Sequence, residues 1–312
     1  MKNDKINFSQ FLAVCFLSSL SSIMFVKSTP SIFVIILSAA FLAVNFLVFC
    51  LYKGQIKKLL FPICFIYISF FLVHIVVKFS DYMNTALSYG PACLMIIVLL
   101  FFTFFCTVKG SEAVARASAV FAVFVTAGIV YMLICTFTNI SFNIVFEIPE
   151  DYNVPAVLLL PSVMFVLFYD NIKNIKYGYY IGYSLLISGI LFYFILIADG
   201  VESVYPIQYL PAVSKIGVFK GSDCVLLSFL TISCVFSVSF TTVGLFKSFK
   251  HKYITNALYL VFIMILSIII HYFRLFGFIE KSIFPQVTLS IILFITVLSL
   301  FKRKQCIKIH KL

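Results

Sequence analysis

Ten apolar stretches run along this chain, and most are about as long as a helix that crosses a lipid bilayer. They are 8–26, 32–52, 59–77, 91–108, 115–137, 154–169, 178–198, 223–246, 254–273 and 283–301. A helix needs roughly 20 apolar residues to span the hydrocarbon core. Short gaps separate the stretches, and no long polar segment is left over. The pattern therefore predicts an all-α polytopic membrane protein with ten transmembrane helices.

The composition indicates the same class of protein. Hydrophobic residues make up 63% of the 312 residues and charged residues only 11%, and the mean hydropathy is +1.14. These values are typical of a surface that lipid covers rather than water. We therefore expect a single membrane domain over residues 1–312, ending in a short basic tail at 302–312.

Basic residues fall mainly in alternate gaps between the apolar stretches. With the N-terminus in the cytoplasm, 17 of the 23 Lys and Arg residues lie on the inner side and 6 on the outer side. The positive-inside rule therefore predicts a multi-pass protein of the cell membrane with both termini cytoplasmic. The pI of about 9.2 follows from the inner lysines, so we expect no nucleic-acid partner. The six outer residues are Lys27, Lys78, Lys215, Lys220, Arg274 and Lys281.

Residues that disfavour a helix occur inside the first and sixth stretches. The first has four serines within five residues, and the sixth has a proline that removes a helical hydrogen-bond donor. Freed backbone groups inside a membrane need protein partners or a wet cavity, so we predict that helices 1 and 6 are discontinuous and bind a ligand. The alternative is a continuous helix whose serines bond to their own backbone. The predicted ligand-binding residues are Ser18, Ser19, Ser21, Ser22, Leu160, Pro161 and Ser162.

The first and sixth stretches occupy the same position in two five-span halves, which cover about 8–137 and 154–301. Because five is odd, the two halves enter the membrane from opposite sides. Inverted repeats with interrupted helices at corresponding positions are typical of secondary transporters. The sequence therefore predicts a 5+5 inverted-repeat, transporter-like fold.

The eighth stretch is rich in hydroxyl side chains. We predict a possible ion site at Thr231 and Ser237, because hydroxyl oxygens can coordinate sodium. Small hydroxyl residues also pack helices together in lipid, and this alternative stays open. The hydroxyl residues are Ser228, Thr231, Ser237, Ser239, Thr241 and Thr242.

Two histidines lie inside apolar stretches, His74 in the third and His271 near the outer end of the ninth. Neither has an evident partner in the sequence. Ionisable residues inside a membrane are functional candidates, so His74 is considered for proton transfer, whereas His271 is expected at the membrane interface.

The sequence contains no motif that predicts an enzyme. A phosphate-binding glycine loop, paired histidines at metal-ligand spacing and a local nucleophile–base pair are all missing from it. The nine cysteines are scattered through the apolar stretches, and we interpret them as small hydrophobic residues. We therefore expect no catalytic site, no metal and no cofactor.

Three segments share a pattern with one family of membrane proteins. On these residues the chain resembles the spore germination permeases, the B subunits of nutrient germinant receptors, within the amino acid–polyamine–organocation transporter superfamily. The second segment places a glutamate four residues before an arginine, so the two can pair on one helix face. The segments are Ile6-Asn7-Phe8-Ser9-Gln10, residues 108–116 with Lys109, Gly110, Glu112 and Arg116, and Tyr205-Pro206 followed by residues 216–219.

The resemblance implies a fold, a site and partners. It implies the ten-helix inverted-repeat fold, a small-molecule pocket between broken helices 1 and 6, a second membrane subunit, a lipoprotein subunit and a place in the spore inner membrane. The chain departs from the family in its short segment after the first span, in the sixth span around Pro161, and in having no tryptophan.

Three functions stay open at this point. The preferred one is a permease-like subunit of a germinant receptor that binds a small nutrient, such as an amino acid, at mid-membrane and triggers germination. The second is a proton- or sodium-coupled amino acid transporter. The third is an assembly subunit that no longer binds a ligand, which the departures around the first and sixth spans favour.

Overall fold

The computed structural model describes residues 5–23, 32–52, 54, 57–87, 91–136, 160–198, 223–247, 249, 251–273, 275 and 291. These residues form nine helices, and each helix lies on one of the first nine apolar stretches. The tenth stretch lies outside the described residues except for position 291. The helices are α1 (Phe8–Ile23), α2 (Ile32–Leu51), α3 (Lys57–Leu87), α4 (Ala92–Lys109), α5 (Ser111–Thr136), α6 (Leu160–Phe168), α7 (Tyr177–Ala198), α8 (Asp223–Phe246) and α9 (Lys252–Tyr272).

Five of these helices are long and apolar enough to cross a membrane, namely α3, α4, α5, α8 and α9. Large apolar side chains such as Phe101, Phe105, Val123 and Leu258 point out of the bundle and are exposed. Several serines and threonines are buried instead. Apolar outside and hydroxyl inside is the arrangement that lipid favours, so the chain has the architecture of a multi-pass helical membrane protein.

Two short strands define one end of the bundle. Strand β1 (Ile6–Asn7) pairs in parallel with β2 (Ile172–Lys173), with Ile6 opposite Ile172. Helix α1 begins directly after β1, and α6 is followed by a 3₁₀ turn (Tyr169–Asn171) that leads into β2. We name this the strand end and the opposite end the far end. Helix α1 therefore runs from the strand end to the far end, and α6 runs in the reverse direction.

The two helices at the centre of the bundle are α3 and α8. In their most apolar windows 61% and 78% of the residues are buried, against 33% in α4, α5 and α9. Helix α1 packs against α5, α7 and α8, while α3 packs against α4, α6 and α9. Helices from residues 8–137 thus interleave with helices from the second half of the chain.

The predicted interruption of the first helix at its serines is wrong. Helix α1 is continuous through Ser18, Ser19, Ser21 and Ser22. The Ser21 hydroxyl donates a hydrogen bond to the Ser18 carbonyl at 2.8 Å, so it is satisfied inside the helix. Hydroxyl side chains can bond to the preceding turn without breaking a helix, and the alternative that the sequence left open describes this helix.

The predicted break at Pro161 is not tested, because residues 154–159 lie outside the described residues. Pro161 is the second residue of α6, and all nine residues of that helix are buried. The chain is helical from Leu160 through Phe168, and the break at Pro161 stays a prediction.

Helix α3 is longer than the apolar stretch that predicted it. The stretch ended at residue 77, whereas the helix continues to Leu87. Phe79 and Tyr82 alternate with the polar residues there and are buried, and the first helix breakers after them are Gly90 and Pro91. Lys78, expected in an outer gap, consequently lies within the helix and is only 4% exposed.

The turn between α4 and α5 has the predicted form. Gly110 ends α4 with φ of 86°, a backbone conformation that favours glycine. Lys109 is the last residue of α4, and α5 begins at Ser111. The Arg116 guanidinium donates to the Glu112 carboxylate at 2.8 Å, so the predicted pair on one helix face is confirmed.

Candidate functional site

Five buried polar side chains from four helices form what we name the central polar cluster. Its first contact joins α1 to α7, where the hydroxyl oxygens of Ser19 and Tyr183 lie 2.8 Å apart. Both side chains are buried, and they lie 164 residues apart in the chain. The members are Ser19, Asn45, Ser162, Tyr180 and Tyr183.

The other contacts join α2 to α6 and α7. The Ser162 hydroxyl donates to the side-chain oxygen of Asn45, so α6 is bonded to α2. The Tyr180 hydroxyl donates to the Leu42 carbonyl at 2.8 Å. These bonds hold α2 between α6 and α7, with Tyr180 and Tyr183 one helical turn apart.

Aromatic rings enclose the strand-end side of the central polar cluster. The ring of Phe49 lies 4.4 Å from Phe165 and 4.7 Å from Tyr180, measured between ring centroids. Phe46 stacks on Tyr180 at 5.9 Å. An apolar surrounding strengthens a hydrogen bond and penalises a polar group that has none. A polar ligand that entered here would have to replace the bonds that it breaks.

A groove of about 290 Å³ opens beside the central polar cluster, between α2 and α7. Small side chains make the space, including Ala39, Ala43 and Ser188, and Tyr180 connects the groove to the cluster. The lining is mostly apolar with a few hydroxyl groups, which is the usual character of small-molecule pockets.

The structure brings two of the predicted ligand residues, Ser19 and Ser162, into one cluster. Ser18 and Ser21 are buried on α1, and Leu160 and Pro161 are buried at the start of α6. Ser22 is helical, but its side chain lies outside the described residues. The other three members, Asn45, Tyr180 and Tyr183, were not predicted. The sequence signals for them were an amide, Asn45, in a mostly apolar stretch and two tyrosines spaced by three residues.

The proposed ion residues of α8 do not meet. Thr231 and Ser237 are six residues apart on a continuous helix, so they are about 120° apart around its axis. The Thr241 and Thr242 hydroxyls donate to the carbonyls of Ser237 and Val238 in the preceding turn. The geometry therefore favours the packing interpretation for this face, and an ion site at these two residues stays a prediction.

Three ionisable residues form a line along α3, which we name the ionisable stripe. His74, Lys78 and Asp81 follow one another at spacings of four and three residues, so they share one helix face. His74 and Lys78 are buried at 6% and 4% exposure. The Asp81 carboxylate oxygen lies 3.0 Å from Nδ1 of His271, in the last turn of α9. The stripe thus ends in a contact between two helices near the far end.

His271, whose partner is not evident from the sequence, contacts Asp81. Asp81 was not predicted and Lys78 was placed outside the helix for the same reason, because the predicted third span ended at the first charge. A charged residue followed by aromatic residues without a Gly or Pro was the signal that the helix continues.

No family model matches this chain, and no curated protein matches it. Of the residues that carry the resemblance to the germination permeases, Lys109, Gly110, Glu112 and Arg116 form the α4–α5 turn described above. Tyr205 and Pro206 lie outside the described residues.

Proposed function

We propose that this chain is a permease-like membrane protein with a 5+5 inverted-repeat fold, and that it binds a small nutrient where α1 and α6 meet. The observation that carries the proposal is a symmetry in the pattern of helix–helix contacts. If helices 1–5 correspond to helices 6–10, exchanging the halves should convert each contact into another observed contact.

Most contacts among α1–α4 and α6–α9 follow this rule, although the contact between α6 and α8 has no counterpart of similar extent between α1 and α3. Helix α1 packs on α7 and α8, and the exchanged pairs, α6 on α2 and α6 on α3, also pack together. Helix α8 packs on α4 while α3 packs on α9, and α3 packs on α4 while α8 packs on α9. The pairs that exchange into themselves all touch. They are α1 with α6, α2 with α7, α3 with α8 and α4 with α9.

The directions of the helices support inversion rather than simple duplication. Helix α1 starts at the strand end, whereas its counterpart α6 finishes there, as the pairing of β1 with β2 requires. Inverted repeats with substrate sites at the repeat interface are a common transporter design. The central polar cluster lies at that interface, because Ser19 belongs to α1 and Ser162 to α6.

The biological role in this proposal comes from the resemblance. The chain would be the membrane-embedded permease-like subunit of a spore nutrient germinant receptor, with a second membrane subunit and a lipoprotein as partners. It would lie in the spore inner membrane with both termini cytoplasmic. Lys5, Lys173, Lys176 and Lys247 are all near the strand end, which supports a cytoplasmic strand end under the positive-inside rule.

In the proposed mechanism the ligand competes for hydrogen bonds inside the central polar cluster. A bound amino acid would take the hydroxyls of Ser19 and Ser162 from Tyr183 and Asn45. The helix arrangement that permits this exchange would gain population when ligand is present. A receptor would pass that change to its partners, whereas a transporter would complete it and release the ligand on the other side.

Binding to the reconstituted protein tests the ligand site. We expect one class among amino acids, sugars and nucleosides to raise the thermal stability of the protein in nanodiscs. Ser162→Ala should weaken that affinity by about twofold to tenfold, the value of one hydrogen bond. Thr126→Ala is the matched control, because the Thr126 hydroxyl donates only to the Ala122 carbonyl of its own helix. Equal weakening by both variants would contradict the site.

Germination tests the receptor role separately. Spores that lack the gene should lose the fall in optical density that one nutrient class triggers, and the intact gene should restore it. Unchanged germination together with ligand binding would favour the transporter. Unchanged assembly of the receptor complex with no ligand binding at all would favour the assembly subunit.

A coupled transporter is the second candidate, and the ionisable stripe of α3 favours it. Ionisable residues inside membrane spans are costly and mark ion or proton pathways. Uptake of the bound nutrient into vesicles, driven by a proton or sodium gradient, would distinguish transport from reception.

A further inference from the structure

The ionisable stripe has a chemistry that the proposed nutrient site does not use. Asp81 and His271 keep 24% and 30% of their side-chain surface exposed, whereas Lys78 and His74 are 4% and 6% exposed. Lys78 and His74 lie about one and two helical turns deeper than Asp81 along α3. The stripe therefore runs from a partly exposed end near the far end of the bundle to a buried interior.

We propose that Asp81 and His271 form a proton-binding site, and that Lys78 and His74 extend it toward the centre of the membrane. A carboxylate oxygen of Asp81 lies 3.0 Å from Nδ1 of His271, within hydrogen-bond distance of a proton on that nitrogen. Histidine is the side chain that changes charge near physiological pH. This inference goes beyond the proposed function and does not depend on the identity of the nutrient.

The surroundings favour a proton over a metal ion. Within the described residues, no group of three or more His, Cys, Asp or Glu side chains is arranged to hold a metal. A proton needs only the one Nδ1–carboxylate contact that the structure provides.

The other titratable groups around the site are few within the described residues. On α3 they are His74, Lys78, Tyr67 and the buried Tyr82, and on α9 the neighbour of His271 is the exposed Tyr272. The far-end half of α4 contributes the exposed Cys93. Among the described side chains in the far-end half of α8, the titratable one is the buried Cys234. The described part of α6 carries no titratable side chain. Asp81 is thus the nearest acidic partner of His271 among these elements.

The contact between α3 and α9 has a counterpart that makes a matched control. Under the exchange of halves it corresponds to the contact between α8 and α4, where the Ser239 hydroxyl donates to the Thr103 carbonyl at 3.3 Å. One helix–helix contact therefore uses a carboxylate and an imidazole, and the other uses a hydroxyl and a backbone carbonyl.

Solid-state NMR of the whole protein in liposomes, with ¹⁵N in the histidine rings, tests the proposal. The chain has only four histidines, and the exposed His251 at the start of α9 is an internal reference. At neutral pH, Asp81→Asn should change the ¹⁵N shift of Nδ1 in His271, because a neutral amide replaces the carboxylate that contacts this nitrogen. The ¹⁵N shifts of His251 should stay unchanged in that variant, and Ser239→Ala should change neither histidine.

A measurement on the unmodified protein keeps the test independent of how the variants fold. At neutral pH the ¹⁵N shifts of His271 should identify Nδ1 as carrying a hydrogen bonded to a carboxylate. A bare Nδ1 at every pH would overturn the proposal. A ¹⁵N shift of Nδ1 in His271 that Asp81→Asn leaves unchanged would also overturn it. No nutrient is present in either experiment, so both results stand apart from the nutrient-binding test.

Discussion

At the scale of single residues, buried hydroxyl groups in this bundle have two kinds of partner. Thr103, Ser118 and Thr242 donate to a carbonyl of their own helix, four residues earlier. Ser19 and Ser162 instead bond to side chains of other helices. The first kind satisfies a polar atom locally, whereas the second fixes how two helices sit against each other.

The contact between Ser19 and Tyr183 gives a prediction at this scale. A double-mutant cycle of Ser19→Ala and Tyr183→Phe should give a coupling energy of about 0.6 kcal/mol, with about 1.7 kcal/mol as an upper value for hydrogen bonds in membranes. The free energy of unfolding from lipid or detergent, measured by steric trapping, supplies the four values. A cycle on Ser19 and Thr126, which lie on different contacts, should show no coupling. Coupling near zero for Ser19 and Tyr183 would mean that their bond does not hold α1 to α7.

At the scale of helices, close approach depends on glycine at two positions of the central packing. A Cβ atom on Gly244 of α8 would lie 2.4 Å from the ring of Phe168 in α6. That ring cannot turn aside easily, because it stacks on Phe240 with centroids 4.3 Å apart. Gly128 of α5 has a similar close contact with Phe229 of α8.

We therefore expect Gly244→Ala to destabilise the protein by about 1–3 kcal/mol, the usual cost of overfilling a packed core. Gly182→Ala on α7 is the matched control, since nothing lies within 4 Å of a Cβ atom there. That control should be neutral or slightly stabilising, because alanine favours a helix more than glycine does. Thermal unfolding of both variants in the same detergent checks the prediction, and equal stability of the two would contradict the close packing of α6 on α8.

At the scale of the whole molecule, the ends of the helices sort into two faces. The strand end carries β1, β2, the α4–α5 turn and most of the described basic residues. The far end carries the start of α4 and the last turn of α9, where His271 meets Asp81. A bundle with one basic face is expected to place that face in the cytoplasm.

Cysteine labelling tests this orientation. In a chain whose nine native cysteines are replaced by alanine, Tyr272→Cys at the far end should react with a membrane-impermeant maleimide in intact cells. Lys173→Cys at the strand end should react only after the cells are permeabilised. The reverse pattern would place the strand end outside and would contradict both the orientation and the cytoplasmic termini.

The sequence by itself determined the class of protein and much of its local structure. Apolar stretches give helices because lipid cannot satisfy an open backbone, and nine of them coincide with described helices. Gly110 and the pair of Glu112 with Arg116 were also predictable, because turns and pairs four residues apart depend on neighbours in the chain. Ser18 and Ser21 show where such reasoning stops, since the same serines permit either a break or a bond within the helix.

Only the tertiary structure decided which helices meet and which polar groups pair. Asn45 with Ser162, Ser19 with Tyr183, and Asp81 with His271 join residues that are far apart in the chain. No periodicity encodes such contacts, because any face of an apolar helix can be stable against lipid. The choice among faces comes from close packing and from the cost of leaving a buried polar atom without a partner, and both are properties of the assembled bundle.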